Sequence, residues 1–212
     1  MSARATDAAE RLIVGAARVG VTLSAEDATR LFTLLDELAR WSRRFNLTAI
    51  TADSAMVTHH LLDSLAVSPD LQGTRIADIG TGAGFPGLPL AVVNRTRQFT
   101  LVDSSAKKIR FVTHAAGLLA LENVTALHAR VELMQVETPF DTVIARAFAP
   151  IPKLLTAVAP ICGPETHVLA MKGRWPGAEL EALPAGWRLE HSRELVIPGL
   201  DAARCVISLR RG

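Results

Sequence analysis

The chain has 212 residues, room for one large domain or for one domain with a small appendage. Hydrophobic residues make up 49% and charged residues 21%, which excludes a largely disordered chain; two cysteines, Cys162 and Cys205, exclude a disulfide framework or an all-cysteine zinc site. The formal net charge of +2 permits a nucleic-acid partner without demanding one.

The first twenty residues place Asp7 and Glu10 ahead of any apolar stretch, unlike a secretory signal. The longest run without a charge, Ile79 to Asn94, is broken by four glycines and two prolines. A membrane span needs about 20 continuous apolar residues, so none is expected, and the expected location is the cytoplasm. From the start to about residue 70 the pattern is helical. Ser24 followed by Asp27 resembles a capping box. Beyond it Leu31, Phe32, Leu34, Leu35, Leu38, Trp41 and Phe45 recur at helical spacing. A further helix is predicted from near Asp53, with Met56, Val57, His60, Leu61, Ser64 and Leu65 along one side.

From residue 75 the pattern alternates. RIADIG reads as a short buried strand stopped by glycine, and a helix follows from Pro86 through Val93. QFTLVD is a second strand, and a helix capped by Ser104 or Ser105 comes next. VTALH, DTVIAR and THVLAMKG are three further apolar strands, each followed by a segment that can be helical. This alternation predicts an α/β fold with a doubly wound, mostly parallel sheet. RLEHSRELVIP and RCVISLR, joined by PGLDAA, are too close for a parallel crossover and predict an antiparallel edge hairpin.

The chemistry is concentrated in Asp78-Ile79-Gly80-Thr81-Gly82-Ala83-Gly84-Phe85-Pro86-Gly87. Its glycines follow a strand and precede a helix, at the carboxyl end where doubly wound sheets bind ligands. Such a loop either brings backbone close to a ligand or serves helix packing alone. Gly82 to Gly87 formally matches the dinucleotide pattern G-x-G-x-x-G. Asp78, however, lies before the glycines, where a carboxylate can receive the ammonium of an amino-acid moiety. Asp103 closes the second strand, 19 residues past Gly84, where it can accept both ribose hydroxyls or cap the next helix. S-adenosylmethionine carries both an ammonium and a ribose. The glycine loop and the edge hairpin together resemble the Rossmann-like (class I) methyltransferases.

Further segments narrow the resemblance. They are Arg40-Trp41, Phe45-Asn46-Leu47-Thr48-Ala49-Ile50, His60-Leu61-Leu62-Asp63-Ser64-Leu65, Leu101-Val102-Asp103-Ser104, Ile144-Ala145-Arg146-Ala147-Phe148-Ala149 and Met171-Lys172-Gly173. With the glycine loop, they are similar to the bacterial glucose-inhibited division protein B family, from about Trp41 to Arg204. The resemblance implies a methyltransferase that modifies N7 of a guanine in 16S ribosomal RNA, using S-adenosylmethionine. It implies a helical extension over residues 1–70 packed on a methyltransferase domain over residues 71–212. The partner is then 16S rRNA or the small ribosomal subunit, with no metal, no membrane and a monomeric state expected. Cofactor contacts are implied at Asp78, Gly80, Gly82, Gly84, Phe85, Asp103, Val131, Glu132 and Arg146. Arg146 and Asn46 are the implied catalytic residues, and Arg130, Lys172 and Arg204 the implied RNA contacts, with Arg146 at the cofactor–substrate junction. One departure is His59, where the family often has arginine. Guanine N7 carries a lone pair and no proton, so no general base is expected; positioning is the main demand.

Two other classes stay open from the residues themselves. One is a small-molecule or protein methyltransferase on the same fold; the other is a nucleotide-binding module without enzymatic activity. His60, on the apolar side of its helix, reads as a core histidine or a site residue, and Asn46 as a helix C-cap or a site residue. The three tryptophans read as packing, with Trp175 the best candidate for base stacking. Cys162 and Cys205 read as inert buried residues.

Overall fold

The computed structural model describes residues 3–50 and 52–211. Two helices open the chain, α1 (Ala3–Arg18) and α2 (Ala25–Phe45). The capping box is present: the Ser24 hydroxyl accepts from the Asp27 N–H at 3.0 Å, and the Ser24 N–H donates to Asp27 Oδ2 at 3.1 Å. At the far end Asn46 adopts a left-handed conformation (φ 49°), and its N–H closes onto the Ser42 carbonyl. This is the C-cap geometry that asparagine tolerates better than most side chains.

The third helical region departs from the sequence reading. It starts as α3 (Asp53–Met56), widens into a π-helical segment (Val57–Leu62) and ends as α4 (Asp63–Leu65). The Asp63 N–H reaches back five residues to the Thr58 carbonyl. As a result His60, Leu61, Leu62, Asp63, Ser64 and Leu65 are all buried in succession, which a regular 3.6-residue periodicity with one apolar face would not produce. Widened turns of this kind are rare and concentrate at functional sites.

The sheet follows: β1 (Arg75–Ile79), α5 (Gly87–Val93), β2 (Gln98–Asp103), α6 (Ala106–Leu118), β3 (Val124–His128), β4 (Phe140–Arg146), α7 (Ile151–Val158), β5 (Cys162–Lys172), α8 (Gly177–Glu181), β6 (Trp187–Glu194) and β7 (Cys205–Arg211). Strand order is β3-β2-β1-β4-β5-β7-β6. The first five strands run parallel, and β7 lies antiparallel between β5 and β6. Consecutive residues face opposite ways across the sheet. Ile76, Ile144 and Leu169 therefore join one core with α2, α5 and α6, while Ala77, Val143 and Val168 join another with α7. Leu12, Leu31, Leu34 and Leu61 of the N-terminal helices belong to the first of these cores.

Two expectations need correction. No helix follows β3; a single 3-10 turn, Val131–Leu133, stands there. Val131 is buried, and Met134 and Val136 pack behind it, so the connection covers the sheet with its own side chains. The edge strand stops at Glu194 instead of continuing to Pro198. Pro198 has no N–H to give a ladder, Gly199 turns at φ 78°, and the link to β7 spans residues 195–204. Among the described residues, no helix is long and apolar enough to cross a membrane.

Candidate active site

The order of the sheet reverses between β1 and β4, whose carboxyl ends open a crevice. The glycine loop rises from β1 and is stitched to β2 by the N–H groups of Gly80 and Thr81, both donating to the Val102 carbonyl at 2.9 and 3.0 Å. Gly80, Gly82 and Gly84 all have positive φ. Their roles differ. A Cβ on Gly84 would strike Leu88 at 2.3 Å, and one on Gly87 would meet Asp78 Oδ2 and Leu101 at 2.7 Å, so these two glycines serve packing. A Cβ on Gly82 would meet nothing closer than 4.0 Å; there the requirement is the backbone conformation.

Asp78 is fully buried at the end of β1. Its Oδ2 accepts from the Thr81 hydroxyl at 2.6 Å and the Gly87 N–H at 2.8 Å, while its Oδ1 is buried with no hydrogen-bond partner. Burial pushes the carboxyl up to about 6 against those two donors. A buried carboxylate oxygen without a partner is costly, and a bound cation is the natural way to satisfy it.

Asp103, at the end of β2, is almost as buried. Its Oδ2 accepts from the Gly82 N–H at 3.0 Å and its Oδ1 from the Ser105 N–H at 2.8 Å, with Lys108 Nζ at 3.5 Å. The helix-capping reading of Asp103 is met in part, since it holds the N–H of Ser105, the N-cap of α6. It organises the start of α6 and the glycine loop, with Oδ2 shared between Gly82 and Lys108 and Oδ1 taken once, by Ser105. It also lines a cleft of about 320 Å³ at the carboxyl ends of β1, β2 and β4. Gly80, Arg130, Val131 and Glu132 line the same cleft, as do Lys108 and Phe148. Asp78, Gly82, Gly84 and Phe85 do not.

A second cluster borders the glycine loop. The Phe85 ring lies 4.8 Å from the His60 ring and 5.8 Å from the Arg146 guanidinium carbon. Arg146 donates from Nη1 to the His59 carbonyl and to Asp63 Oδ2, both at 3.1 Å. Arg204 donates from Nε to Asp63 Oδ1 at 3.0 Å. The departure at His59 thus leaves this particular contact intact, because the backbone makes it. His60 hydrogen-bonds Thr48 through Nε2 at 2.9 Å, and its Nδ1 is buried without a partner. Burial, then the charges of Arg146 and His59, push His60 down to about 4, so it is neutral near pH 7. It has both a core and a site environment.

The remaining expected residues separate. Arg130 is exposed at the cleft with no ion pair among the described residues. Lys172 is engaged within the fold, donating to the Ala149 carbonyl at 3.1 Å and Glu179 Oε2 at 2.7 Å. Asn46 is the exposed C-cap of α2. Trp41 packs on Phe45, Phe111 and His114, whereas Trp175 is 59% exposed. Cys162 and Cys205 are buried free thiols, and burial pushes Cys162 up to about 12. The sequence assigned no role in the cleft to Lys108 or Phe148, and left Asp63 either to share the face of His60 or to cap a neighbour. Asp63 and Phe148 lie inside segments that carried the resemblance, but residue type alone did not show that they meet the arginines or the cleft.

This strand order, with a glycine loop after β1, an acidic end to β2 and an antiparallel β7, defines a class I S-adenosylmethionine-dependent methyltransferase. The fold is shared with a SAM-dependent methyltransferase from Aquifex aeolicus (TM-score 0.56, 18% identity, 78% of this chain and 97% of that one). It is shared also with a methyltransferase from Thiobacillus denitrificans solved with S-adenosyl-L-homocysteine (TM-score 0.54, 12% identity, 71% and 91%). Residues 27–207 match the family described as rRNA small subunit methyltransferase G. The ribosomal RNA small subunit methyltransferase G of Ectopseudomonas mendocina is 41% identical over 205 residues, covering 96% of each chain. That of Cronobacter sakazakii is 39% identical over 191 residues, covering 90% of this chain and 92% of its own. The chain belongs to the ribosomal RNA small subunit methyltransferase G family.

Proposed function

We propose that this protein transfers a methyl group from S-adenosylmethionine to N7 of a guanine in 16S ribosomal RNA. The observation that carries the reading is the pairing of two sites on one sheet edge. A cleft lined by Asp103, Val131 and Glu132 opens at the carboxyl end of β1, the strand that carries Asp78 with its unpartnered Oδ1. Beside the glycine loop, Arg146 and Arg204 flank Asp63. The residues fit the cofactor. Asp78 Oδ1 would take its ammonium, Asp103 its ribose, and Val131 with Glu132 would border its adenine. When bound, S-adenosylmethionine supplies an electrophilic methyl group on sulfur.

Everything else falls to the chain. Arg146, held against Phe85 and Asp63, would orient the target nucleotide beside the cofactor pocket. Arg130 at the cleft mouth would contact the RNA backbone. N7 has no proton to remove, and the neutral, acid-shifted His60 is not poised as a base at pH 7. Catalysis by orientation suits such a site. A guanine stacked in A-form RNA buries N7 in a deep groove, so a looped-out or flipped base is the expected substrate. Lys172 is better described as positioning the 146–150 loop through Ala149 and Glu179 than as a free phosphate contact.

The test uses unmodified small subunits and RNA stripped of protein. Methyl transfer from labelled S-adenosylmethionine, followed by digestion and nucleoside mass spectrometry, should yield 7-methylguanosine. Another methylated nucleoside would overturn the N7 assignment, and label confined to protein or small molecules would overturn the substrate class.

A further inference from the structure

Asp63 has no assigned role in the reaction, yet its position is unusual. It is 3% exposed and sits where the π-helical segment ends. Its two oxygens are divided between two arginines from distant parts of the chain: Oδ2 takes Arg146 Nη1 from the end of β4, and Oδ1 takes Arg204 Nε from the residue before β7. A buried carboxylate is a poor source of net stability, since its desolvation offsets much of the Coulomb attraction. Its value lies in geometry.

The bonds leave the business ends of both arginines free. Arg146 Nη1 is occupied by Asp63 and the His59 carbonyl, while its Nε and Nη2 have no hydrogen-bond partner among the described residues and are not buried. Arg204 uses Nε on Asp63 and Nη1 on the Ala203 carbonyl, leaving Nη2 similarly open. Each arginine side chain is about a quarter exposed, at 23% and 24%. Three formal charges sum to +1, the complement of one phosphodiester. Phe85, 5.8 Å from Arg146, ties the pair to the glycine loop.

We propose that Asp63 is a positioning residue: it holds Arg146 and Arg204 as a two-armed grip for a single backbone phosphate of the RNA substrate. The inference rests on the reading of this site as an RNA methyltransferase. The grip sets where the target nucleotide stands relative to the cofactor loop, and Asp63 itself touches neither substrate nor cofactor. The carboxylate stands at the end of the widened turn, Val57–Leu62, as its C-cap.

The experiment compares wild type, Asp63→Asn, Arg146→Ala and the double variant on small-subunit RNA. It varies RNA and S-adenosylmethionine separately, with S-adenosylhomocysteine affinity and thermal unfolding measured on the same samples. Asp63→Asn should lower kcat/KM for RNA by about 10²-fold, the scale of a roughly 1 Å misplacement. Affinity for S-adenosylhomocysteine should stay within about twofold of wild type, because Asp63 bonds only Arg146 and Arg204 and touches none of Asp78, Asp103, Val131 and Glu132, which hold the cofactor in the proposed function. In the Arg146→Ala background the further loss should shrink to a few-fold at most, since residues acting as a unit are not additive. Wild-type kcat/KM in folded Asp63→Asn, a loss that multiplies fully in the double variant, or a parallel loss of cofactor affinity would each overturn the proposal. If Asp63→Asn does not fold, Asp63→Glu keeps the charge count and shifts the carboxylate by one methylene. It should show the same RNA-specific loss, and full activity would overturn the proposal. A wild-type protein that methylates no RNA would overturn the functional reading itself, and the proposed grip with it.

Discussion

Replacing Asp78 by asparagine separates the binding role of this carboxylate from its cost to the fold. Burial raises its pKa from the ordinary 3.8 to about 6. Between those values the folded carboxyl keeps its proton while the unfolded one has lost it. Stability therefore falls as pH rises through that window and is level above it. A rise of roughly two pH units corresponds to about 3 kcal/mol of stability lost from this one group. Asparagine is nearly isosteric, and its carbonyl can still accept from Thr81 and Gly87. It does not ionise, so it escapes the loss. Relative to wild type, Asp78→Asn should gain about 2.5 kcal/mol on going from pH 4 to pH 8, because the unfolded carboxyl is already partly ionised at pH 4. Denaturant melts of both proteins at several pH values give that difference directly, and groups unaffected by the substitution cancel. The same variant should bind S-adenosylhomocysteine at least about 10²-fold more weakly, because a buried charge pair with the ammonium would be broken. Parallel pH curves would refute the burial argument, and undiminished cofactor affinity would refute the ammonium contact.

Asp103→Ala removes the acceptor for the Gly82 and Ser105 N–H groups as well as a ribose contact. It should weaken S-adenosylhomocysteine binding in calorimetry and also lower stability by about 1–3 kcal/mol; unchanged affinity would sink the ribose assignment. Gly84→Ala combines positive φ with a 2.3 Å approach to Leu88, whereas Gly82→Ala adds strain without a clash. Thermal melts should therefore place Gly84→Ala well below Gly82→Ala, which should lose only about 1 kcal/mol. His60 has the opposite slope to Asp78. Its pKa falls from 6.5 to about 4, so its contribution to stability is lost in acid and grows as pH rises from about 4 to 6.5. His60→Gln should remove that limb, so the variant-minus-wild-type curve should fall as pH rises from about 4 to 6.5, and a level difference curve over that range would refute the burial argument for His60.

Much of the fold was legible because it depends on local pattern. Alternating strands and helices, the Ser24–Asp27 capping box, the helical stripe from Leu31 to Phe45 and the glycines after β1 each reflect a short-range rule of backbone geometry or burial. Where the local rule was ambiguous, packing decided. The stretch after β3 could have been helical, but Val131, Met134 and Val136 cover the sheet without a helix. The helix carrying His60 was expected to be regular, but it widens and buries six residues in a row.

The site divides along the same line. Asp78 and the glycine loop lie in one short motif and Asp103 closes the next strand, so their places at strand ends were readable from neighbours in the chain. Their division of labour was not: Gly84 and Gly87 serve packing, Asp103 also ties down Gly82 and Ser105, and Lys172 is bound to Ala149 and Glu179. Sequence by itself determined the order of elements and the residue types at strand ends, since both follow from neighbours in the chain. Only the tertiary structure decided that Asp63, Arg146 and Arg204 meet, since residues 83 and 141 positions apart are brought together by sheet order and by the place of Asp63 at the end of a widened turn, not by any local periodicity.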